Sequence, residues 1–193
     1  MEILAIILTV TFIIFMVTVI VLNFNCRKDN KVVVQCSEGA TFPRKAHNGD
    51  ASFDLCALED TPVLYPGRMV IPTGIKIQMP EGIHSFIMPT SGNSLKGLNA
   101  RIKVLDGLVE DYRLDADVLI GTIDSNYRGE LNVIIRVHQD VRPEDNIFIK
   151  KGIKVAQLWV TEECSIVPLK GEVNKNTSRK EAGLGSTDKK EGK

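Results

Sequence analysis

The sequence lacks an excess of either charge, a Cys-x-x-Cys pair and, beyond its first 24 residues, any long apolar repeat of helical period. Lys plus Arg and Asp plus Glu each number 24, so the formal net charge is zero. This balance argues against a nucleic-acid-binding surface and against an acidic, disordered chain. The four cysteines lack the spacing of zinc ligands, and no paired histidines accompany them. The length of 193 residues predicts one ordinary globular domain.

The N-terminal segment is the most apolar part of the chain. Residues 3–22 contain no charged side chain, and twenty helical residues cover about 30 Å, the hydrocarbon thickness of a bilayer. Because no positive charge precedes the run and no small-residue cleavage site follows it, we expect a transmembrane anchor over residues 1–24 rather than a signal peptide. The basic linker 25–31 predicts a single-pass membrane protein whose domain faces the cytoplasm. In that compartment we expect free thiols at Cys26, Cys36, Cys56 and Cys164.

The pattern of residues 32–170 predicts strands separated by turns. Apolar and polar residues alternate, as at Ile71, Ile75 and Ile77, and proline, glycine and asparagine separate the runs. Short strands at this spacing are typical of an all-β jelly roll or β-barrel. The predicted strands are Val32–Val34, Met69–Met79, Ile83–Met88, Leu131–His138, Ile147–Ile149, Ile153–Val160 and Ser165–Leu169.

Two segments do not follow this strand pattern. Residues 99–117 predict either a hairpin with Asp106-Gly107 as its turn or a short helix near Glu110–Leu114. Residues 171–193 contain almost no apolar side chain, so we expect a flexible C-terminal arm. The glycines of this arm lie beside Arg179, and amides freed by glycine can form a nest for an anion.

Five short stretches carry the functional signal: ASFDL at 51–55, PTSGNS at 89–94, GTIDSNYRGE at 121–130, KGIKVAQL at 151–158 and RKEAGLGST at 179–187. Taken alone, the third stretch is typical of a hairpin tip with an ordinary aspartate. Taken together and in this order, the five resemble the motifs of the trimeric dUTPase family over nearly all of residues 32–187. The resemblance implies jelly-roll subunits that form a homotrimer with shared active sites, the C-terminal motif folding over a neighbour's site.

The resemblance also implies hydrolysis of dUTP to dUMP and diphosphate with Mg2+, which limits uracil in DNA and supplies dUMP for dTTP synthesis. Asp124 would be the catalytic base that orients and deprotonates the attacking water. Asp54 would hold Mg2+ through a bound water, since this ion prefers oxygen ligands and keeps its waters. Backbone groups at Gly121 would read the uracil edge, and Tyr127 would pack under the deoxyribose and exclude a 2′-hydroxyl.

The other contacts implied by the resemblance reach the phosphates and cover the base. Ser91 and Gly92 would offer a hydroxyl and an amide, and Gln157 would add another phosphate contact. In the arm, Arg179 would clamp the γ-phosphate, because a guanidinium binds phosphate in a bidentate manner. The other arm residues implied in substrate binding are Leu184, Gly185, Ser186 and Thr187.

The sequence departs from the family pattern at several positions. The second motif of the family usually carries an arginine where this chain has Thr90, so one phosphate-neutralising charge is absent. The first motif usually has glycine at Ser52, and the last usually has phenylalanine at Leu184. Residues 99–117 lengthen the chain between the second and third motifs, as an insertion would. The arginines that could replace the absent charge are Arg101, Arg113 and Arg128.

Two alternative functions fit parts of the sequence. A dCTP deaminase-type enzyme would need a glutamate-centred site and a different third motif, and the YRGE run and the glycine-rich arm argue against it. A dUTPase fold recruited for binding or regulation is compatible with Thr90, the 99–117 segment and the anchor. Because the residues for chemistry are all present, hydrolysis of dUTP is the function we expect.

Overall fold

The structure is a computed structural model that describes residues 9–18, 31–104, 107–162 and 168–172. The chain divides into two compact units, Met1–Glu163 and Cys164–Lys193. All the strands given below belong to the first unit. Of the second unit, residues 168–172 are described, and they form neither helix nor strand. The part of the predicted strand Ser165–Leu169 that is described is therefore not a strand.

Antiparallel strands make up the first unit, in agreement with the all-β prediction. A helix, α1, covers residues 9–18, a second helix, α2, covers Ser91–Lys96, and a 3-10 turn covers Pro143–Asp145. The strands are β1 Val33–Cys36, β2 Ser52–Cys56, β3 Thr61–Pro62, β4 Gly67–Gln78, β5 Ile83–Met88, β6 Leu98–Lys103, β7 Val109–Leu114, β8 Ala116–Val118, β9 Gly121–Ile123, β10 Glu130–Val137, β11 Ile147–Ile149 and β12 Lys154–Glu162.

These strands form three four-stranded sheets, with the orders β1-β4-β10-β8, β3-β11-β6-β7 and β2-β12-β5-β9. Most neighbouring strands are distant in sequence, so long-range pairing closes the core. Strands β6 and β7 pair directly, which confirms the hairpin alternative for residues 99–117 and leaves no helix at Glu110–Leu114. Strand β7 forms the edge of its sheet.

The core confirms the alternation predicted for β4. Ile71, Ile75 and Ile77 are 0%, 1% and 2% exposed, so they share the buried face of the strand. Thr73 lies on the same face and donates its hydroxyl to the carbonyl of Leu131, which removes the cost of burying it. The three alternating residues of β10 are buried in the same way: Val133, Ile135 and Val137.

The sequence patterns predicted the short strand β11 with its bounds, Ile147–Ile149, but missed several other short elements. Strands β2, β3, β8 and β9 have 5, 2, 3 and 3 residues, too few to show a clear period. Helix α2 has 6 residues and begins within the PTSGNS motif, for which the sequence pattern predicted no helix. These elements are formed by pairing and packing with distant strands rather than by a local signal.

The predicted anchor is described over residues 9–18, which form the exposed helix α1. Among the described residues, no helix has the length and apolar character needed to cross a membrane. The other residues of the segment 1–24, and residues 25–30 of the linker, lie outside the described part of the chain. The structure therefore gives no support to the anchor.

The junction between α2 and β6 is a close approach of two backbones. Gly97 ends α2 with a φ of 76° and donates its N–H to the carbonyl of Asn93 at 2.9 Å. A Cβ on Gly97 would clash with the backbone carbonyl oxygen of Leu114 on β7. Glycine is required here because it adopts a positive φ freely and leaves this space empty.

We expect Gly97→Ala to lower the free energy of unfolding by about 2–4 kcal/mol, because the left-handed backbone and the overpacking both destabilise the fold. Urea denaturation of the purified chain measures this loss. Gly82→Ala is the matched control, since Gly82 has a φ of 79° but an added Cβ would meet nothing within 4 Å. Equal losses in the two variants would contradict a role for the Gly97–Leu114 approach.

Candidate active site

A cleft of about 550 Å³ opens where β2, β12, β7 and the start of α2 meet. We call it the Asp54 cleft. It brings together four of the residues predicted to bind substrate or metal: Asp54, Ser91, Gly92 and Gln157. It is also lined by Ala46, Asp50, Ala51, Ser52, Thr90, Asn93, Lys96, Asn99, Arg113 and Lys154.

The register of β12 fixes the position of Gln157 in this cleft. Gln157 lies opposite Asp54 on β2 and opposite Met88 at the end of β5. Directly opposed residues point to the same face of a sheet, so Gln157 and Asp54 face the cleft side by side. The Nε2 of Gln157 donates to the carbonyl of Pro89 at 2.8 Å. Gln157 therefore also fixes the chain that leads into α2.

The N-terminal turn of α2 forms one wall of the cleft. Thr90 is the N-cap residue, and its Oγ1 accepts the N–H of Asn93 at 3.1 Å. The Nδ2 of Asn93 donates to the carbonyl of Val155 on β12 at 3.0 Å, which attaches α2 to the sheet. Ser91 and Gly92 are exposed, and a Cβ on Gly92 would meet only Thr90 Oγ1, at 4.0 Å. The backbone of this turn is thus open to a ligand.

The charged groups on β2 and β12 are paired. Lys154 Nζ lies 3.2 Å from Asp54 Oδ2, and both side chains are partly exposed.

Cys56, two residues from Asp54, is a half-buried free thiol, and Cys36 is an exposed one. Burial raises the pKa of the Cys56 thiol, and the Asp54 carboxylate adds to the rise. The thiol therefore stays protonated at neutral pH and adds no negative charge beside Asp54.

The third motif forms a separate feature, residues 121–130, in which the chain passes from β9 through a turn to the start of β10. Strands β9 and β10 belong to different sheets and do not pair with each other, so the paired hairpin expected from the sequence is not formed. We use the name motif-three hairpin for this turn and its two flanking strand ends. Within the turn, the N–H of Tyr127 donates to the carbonyl of Asp124 at 3.1 Å. Arg128 Nη1 donates to the carbonyls of Ser125 and Tyr127, both at 2.7 Å. The Asp124 carboxylate is exposed and accepts no hydrogen bond from the described residues. The turn is internally bonded, and no described residue occupies its carboxylate, which can therefore meet a ligand.

The YRGE run supports this hairpin. The hydroxyl of Tyr127 donates to the carbonyl of Glu130 at 3.0 Å, and the Tyr127 ring lies where a Cβ on Gly129 would clash with it. The carboxylate of Glu130 accepts the N–H of Gly74 on β4 at 2.8 Å. The positions of Tyr127 and of the whole turn therefore depend on Gly129 and Glu130, to which the sequence analysis gave no role.

Within one copy of the chain, Asp124 is distant from the Asp54 cleft. Gly121 pairs with Ile87 and Ile123 pairs with Ser85, so β9 runs away from the end of β5 that adjoins the cleft. Three residues of an extended strand separate Ser85 from Met88, which is about 10 Å. Asp124 lies beyond Ser85, and an aspartate side chain is too short to cover that distance. The fold thus places Gly121, Asp124 and Tyr127 apart from Asp54 and Gln157.

The cleft also contains cationic and amide groups that the sequence analysis did not assign to it: Lys96, Asn99 and Lys154. Lys154 lies in the fourth stretch, three residues before Gln157, so its place in that motif was an available signal. Lys96 and Asn99 had no such signal, because their positions depend on α2 and β6. The predicted arm residues lie outside the described part of the chain: Arg179, Leu184, Gly185, Ser186 and Thr187.

Comparison with known proteins agrees with the five stretches. The dUTPase family model matches residues 38–114 and 112–188. A deoxyuridine 5'-triphosphate nucleotidohydrolase of Paramecium bursaria Chlorella virus 1 is 35% identical over 160 residues, covering 81% of this chain and 96% of its own. The protein of that name from Alkaliphilus metalliredigens is 35% identical over 148 residues, covering 77% of this chain and 90% of its own.

Solved structures share the fold. A dUTPase of Staphylococcus bacteriophage 80alpha with dUPNHPP has a TM-score of 0.62 at 22% identity, covering 81% of this chain and 98% of its own. A mutant dUTPase from phage phi11 of S. aureus, whose structure concerns coordination of a structural Mg(II) ion, has a TM-score of 0.57 at 21% identity. It covers 75% of this chain and 98% of its own. At these identities the likeness shows the fold alone.

We expect Glu130→Ala to lower the free energy of unfolding by about 1–3 kcal/mol, because the N–H of Gly74 would lose its acceptor. Glu130→Gln keeps a carbonyl oxygen in place of the carboxylate, so its loss should be smaller. Urea denaturation followed by circular dichroism measures both values. If the alanine and glutamine variants were equally stable, the bond to Gly74 would not be what attaches the hairpin to β4.

Proposed function

The chain belongs to the dUTPase family, and we propose that it hydrolyses dUTP to dUMP and diphosphate in active sites shared between copies of the chain. It is a hydrolase that acts on a phosphoanhydride bond. The Asp54 cleft of one copy would bind the phosphates, and the motif-three hairpin of another copy would supply Asp124. The assembly we propose is a homotrimer.

The separation of Asp124 from the Asp54 cleft is the observation that carries this proposal. A base must lie within hydrogen-bond reach of the proton that it removes, directly or through one water. The pairing of Ile123 with Ser85 directs Asp124 away from the cleft of its own chain. A second copy can satisfy the requirement without any change in the pairing of β9.

An exposed aromatic row supports association of copies beside the cleft. Trp159 lies opposite Phe86, which lies opposite Thr122 on β9. The rings of Phe86 and Trp159 stack with centroids 5.8 Å apart, and Trp159 is 40% exposed. Gln157 lies two residues before Trp159 on the same face of β12. Burial of this row by another copy would therefore place protein next to the cleft, and exposed apolar surface favours such contacts.

In the proposed reaction, the motif-three hairpin supplies the base and the Asp54 cleft binds the phosphates. The Asp124 carboxylate would accept a proton from a water as the water oxygen bonds to the α-phosphorus. The bond from the α-phosphorus to the bridging oxygen would break, and diphosphate would leave. Most acceleration of phosphoryl transfer comes from positioning and charge neutralisation. The cleft, with Ser91, Gly92 and Gln157 beside the phosphates, therefore matters as much as the base.

Substrate selection would belong to the motif-three hairpin. Nothing lies within 4 Å of a Cβ placed on Gly121, so its backbone is accessible to a base edge. A site that pairs with uracil leaves buried groups unpaired with cytosine, at a cost of about 1–3 kcal/mol for each group. The Tyr127 ring, fixed over Gly129, would form the wall that excludes a 2′-hydroxyl. We propose that the arm completes the site with Arg179, Leu184, Gly185, Ser186 and Thr187.

Asp54 is the residue that would hold Mg2+. This ion is commonly bound by one or two carboxylates together with substrate phosphates and waters, and the Asp54 carboxylate in the cleft fits that donor set. Among the described residues, no group of three or more His, Cys, Asp or Glu side chains could hold a metal without substrate. When bound, Mg2+ neutralises charge on the phosphate oxygens. The ion pair with Lys154 orients the Asp54 carboxylate in the cleft.

Such an activity would lower the dUTP concentration, so that polymerases place less uracil in DNA. It would also supply dUMP for dTTP synthesis.

Mixed assemblies test the shared site. We expect Asp124→Asn alone, and the cleft variant Ser91→Ala with Gln157→Ala, to lose dUTP turnover by orders of magnitude. When the two chains are co-expressed with different tags and purified through both, every isolated trimer contains both chains, and activity should return to about one site in three across a head-to-tail interface. Release of diphosphate from dUTP with Mg2+ measures turnover.

Co-expression of Asp124→Asn with Tyr127→Ala is the control. Both changes lie on the motif-three hairpin, so no chain in the mixture has an unaltered hairpin and no activity should return. Isolated mixed assemblies without recovered activity would refute the shared site, while leaving the family and its reaction unaffected. Full turnover by Asp124→Asn alone would show that Asp124 is not the base.

We also propose that residues 3–22 anchor the chain in a membrane with the domain on the cytoplasmic side. The support is the uncharged length of this run and the basic residues that follow it. After cell lysis and alkaline carbonate extraction, the full chain should stay in the membrane fraction. A chain that lacks residues 1–24 should move to the supernatant with its dUTP turnover retained. Recovery of the full chain in the supernatant would contradict the anchor.

A further inference from the structure

The supply of positive charge in the Asp54 cleft points to a further substrate-binding residue. A triphosphate brings several negative charges into a cleft that already contains the carboxylates of Asp50 and Asp54. The cationic side chains that line it are Lys96, Arg113 and Lys154. Building on the proposed function, we propose that Arg113 on β7 binds the phosphates, from the same copy of the chain that supplies Asp54.

Lys154 is poorly available for this task. Its Nζ lies 3.2 Å from Asp54 Oδ2, so part of its charge is already balanced by a carboxylate. Lys96 is an exposed residue in the last turn of α2, where the backbone carbonyls attract a cation. Neither lysine has the planar fork that binds phosphate through two parallel hydrogen bonds.

Arg113 is exposed, and within the described part of the chain its side chain has no hydrogen bond and no ion pair. Its backbone, in contrast, is fixed on both sides. The hydroxyl of Tyr112 accepts a hydrogen bond from Gln139 Nε2 at 2.7 Å. Leu114 is 0% exposed and pairs with Leu98. An anchored strand thus carries into the cleft a guanidinium that has no partner among the described residues.

The same strand is attached directly to the wall that carries Ser91 and Gly92. Gly97 ends α2 against the carbonyl oxygen of Leu114, the residue after Arg113. Asn99, which pairs with Arg113 across the hairpin, also lines the cleft. The position of Arg113 relative to the start of α2 is therefore set by backbone contacts rather than by a loop.

The other two arginines proposed from the sequence are engaged elsewhere. Arg101 forms an ion pair with Asp111 across the β6–β7 hairpin and does not line the Asp54 cleft. Arg128 uses its Nη1 to bind two carbonyls of the motif-three hairpin. Of the three candidates, Arg113 alone lines the cleft.

Ligand binding and turnover by the full chain test the assignment. Arg113→Gln should weaken binding of α,β-imido-dUTP by about 10- to 100-fold, the range for loss of charge-assisted hydrogen bonds. Binding of dUMP should change much less, because it carries a single phosphate. The kcat/KM for dUTP should fall by a similar factor. Arg101→Gln is the matched control on the same hairpin, and its kcat/KM should stay within about 2-fold, because its partly exposed ion pair with Asp111 lies outside the cleft.

Two further variants separate phosphate binding from a structural effect. Arg113→Lys should recover part of the loss, because it restores the charge without the fork. Thr90→Arg in the Arg113→Gln chain should also recover part of it, since position 90 lines the same cleft. A structural role for Arg113 would give no rescue from position 90.

Mixed assemblies locate Arg113 on one of the two surfaces. Arg113→Gln chains should regain activity with Asp124→Asn chains, and should not regain it with the Ser91→Ala, Gln157→Ala chains. Unchanged triphosphate binding in Arg113→Gln, or a larger loss in Lys96→Gln, would overturn the assignment. Recovery between Asp124→Asn and cleft-variant chains reports on the proposed function separately, so failure of one proposal is distinguishable from failure of the other.

Discussion

The antiparallel register of β5 is the constraint on which the rest of the site depends. Met88 at one end of β5 lies opposite Gln157, and Ser85 near the other end lies opposite Ile123. One strand therefore separates the Asp54 cleft from the motif-three hairpin by about 10 Å. A shift of this register by one residue would turn every side chain of β5 to the other face. The distance between the two parts of the site is thus fixed by the same strand pairing that forms the core.

The motif-three hairpin combines residues proposed to contact the substrate with residues that hold the turn in place. Asp124 and Tyr127 are the residues that we propose meet the substrate, whereas Arg128 and Glu130 form hydrogen bonds that hold the turn and Gly129 leaves room for the Tyr127 ring. Glu130 also joins the hairpin to β4 through Gly74. Loss of a supporting residue would move the carboxylate and the ring together. A displacement of about 1 Å at such a site can cost about 100-fold in rate.

The sequence predicted the long elements well, because their period is visible over many residues. The alternation of Ile71, Ile75 and Ile77 identified the buried face of β4. Strands β2 and β9 are too short for a period, and α2 forms only through the Thr90 cap and the Asn93 bond to β12. For the site, the motifs predicted that Asp54 and Gln157 belong together, and both line the Asp54 cleft. They could not show that β7 brings Arg113 to the same cleft, because that requires long-range pairing.

A side chain at position 90 can cap α2 or bring positive charge to the cleft, and Thr90 provides the cap. Thr90 accepts the N–H of Asn93, and such a cap contributes about 1 kcal/mol. With 6 residues, α2 has little stability of its own, so the cap adds to the bond from Asn93 to β12 in holding it. An arginine at position 90 would bring charge to the cleft but would leave that N–H without its acceptor. Because β7 carries Arg113 to the cleft, the cap and the charge can come from different residues, and the longer segment between the second and third motifs gains a physical reason.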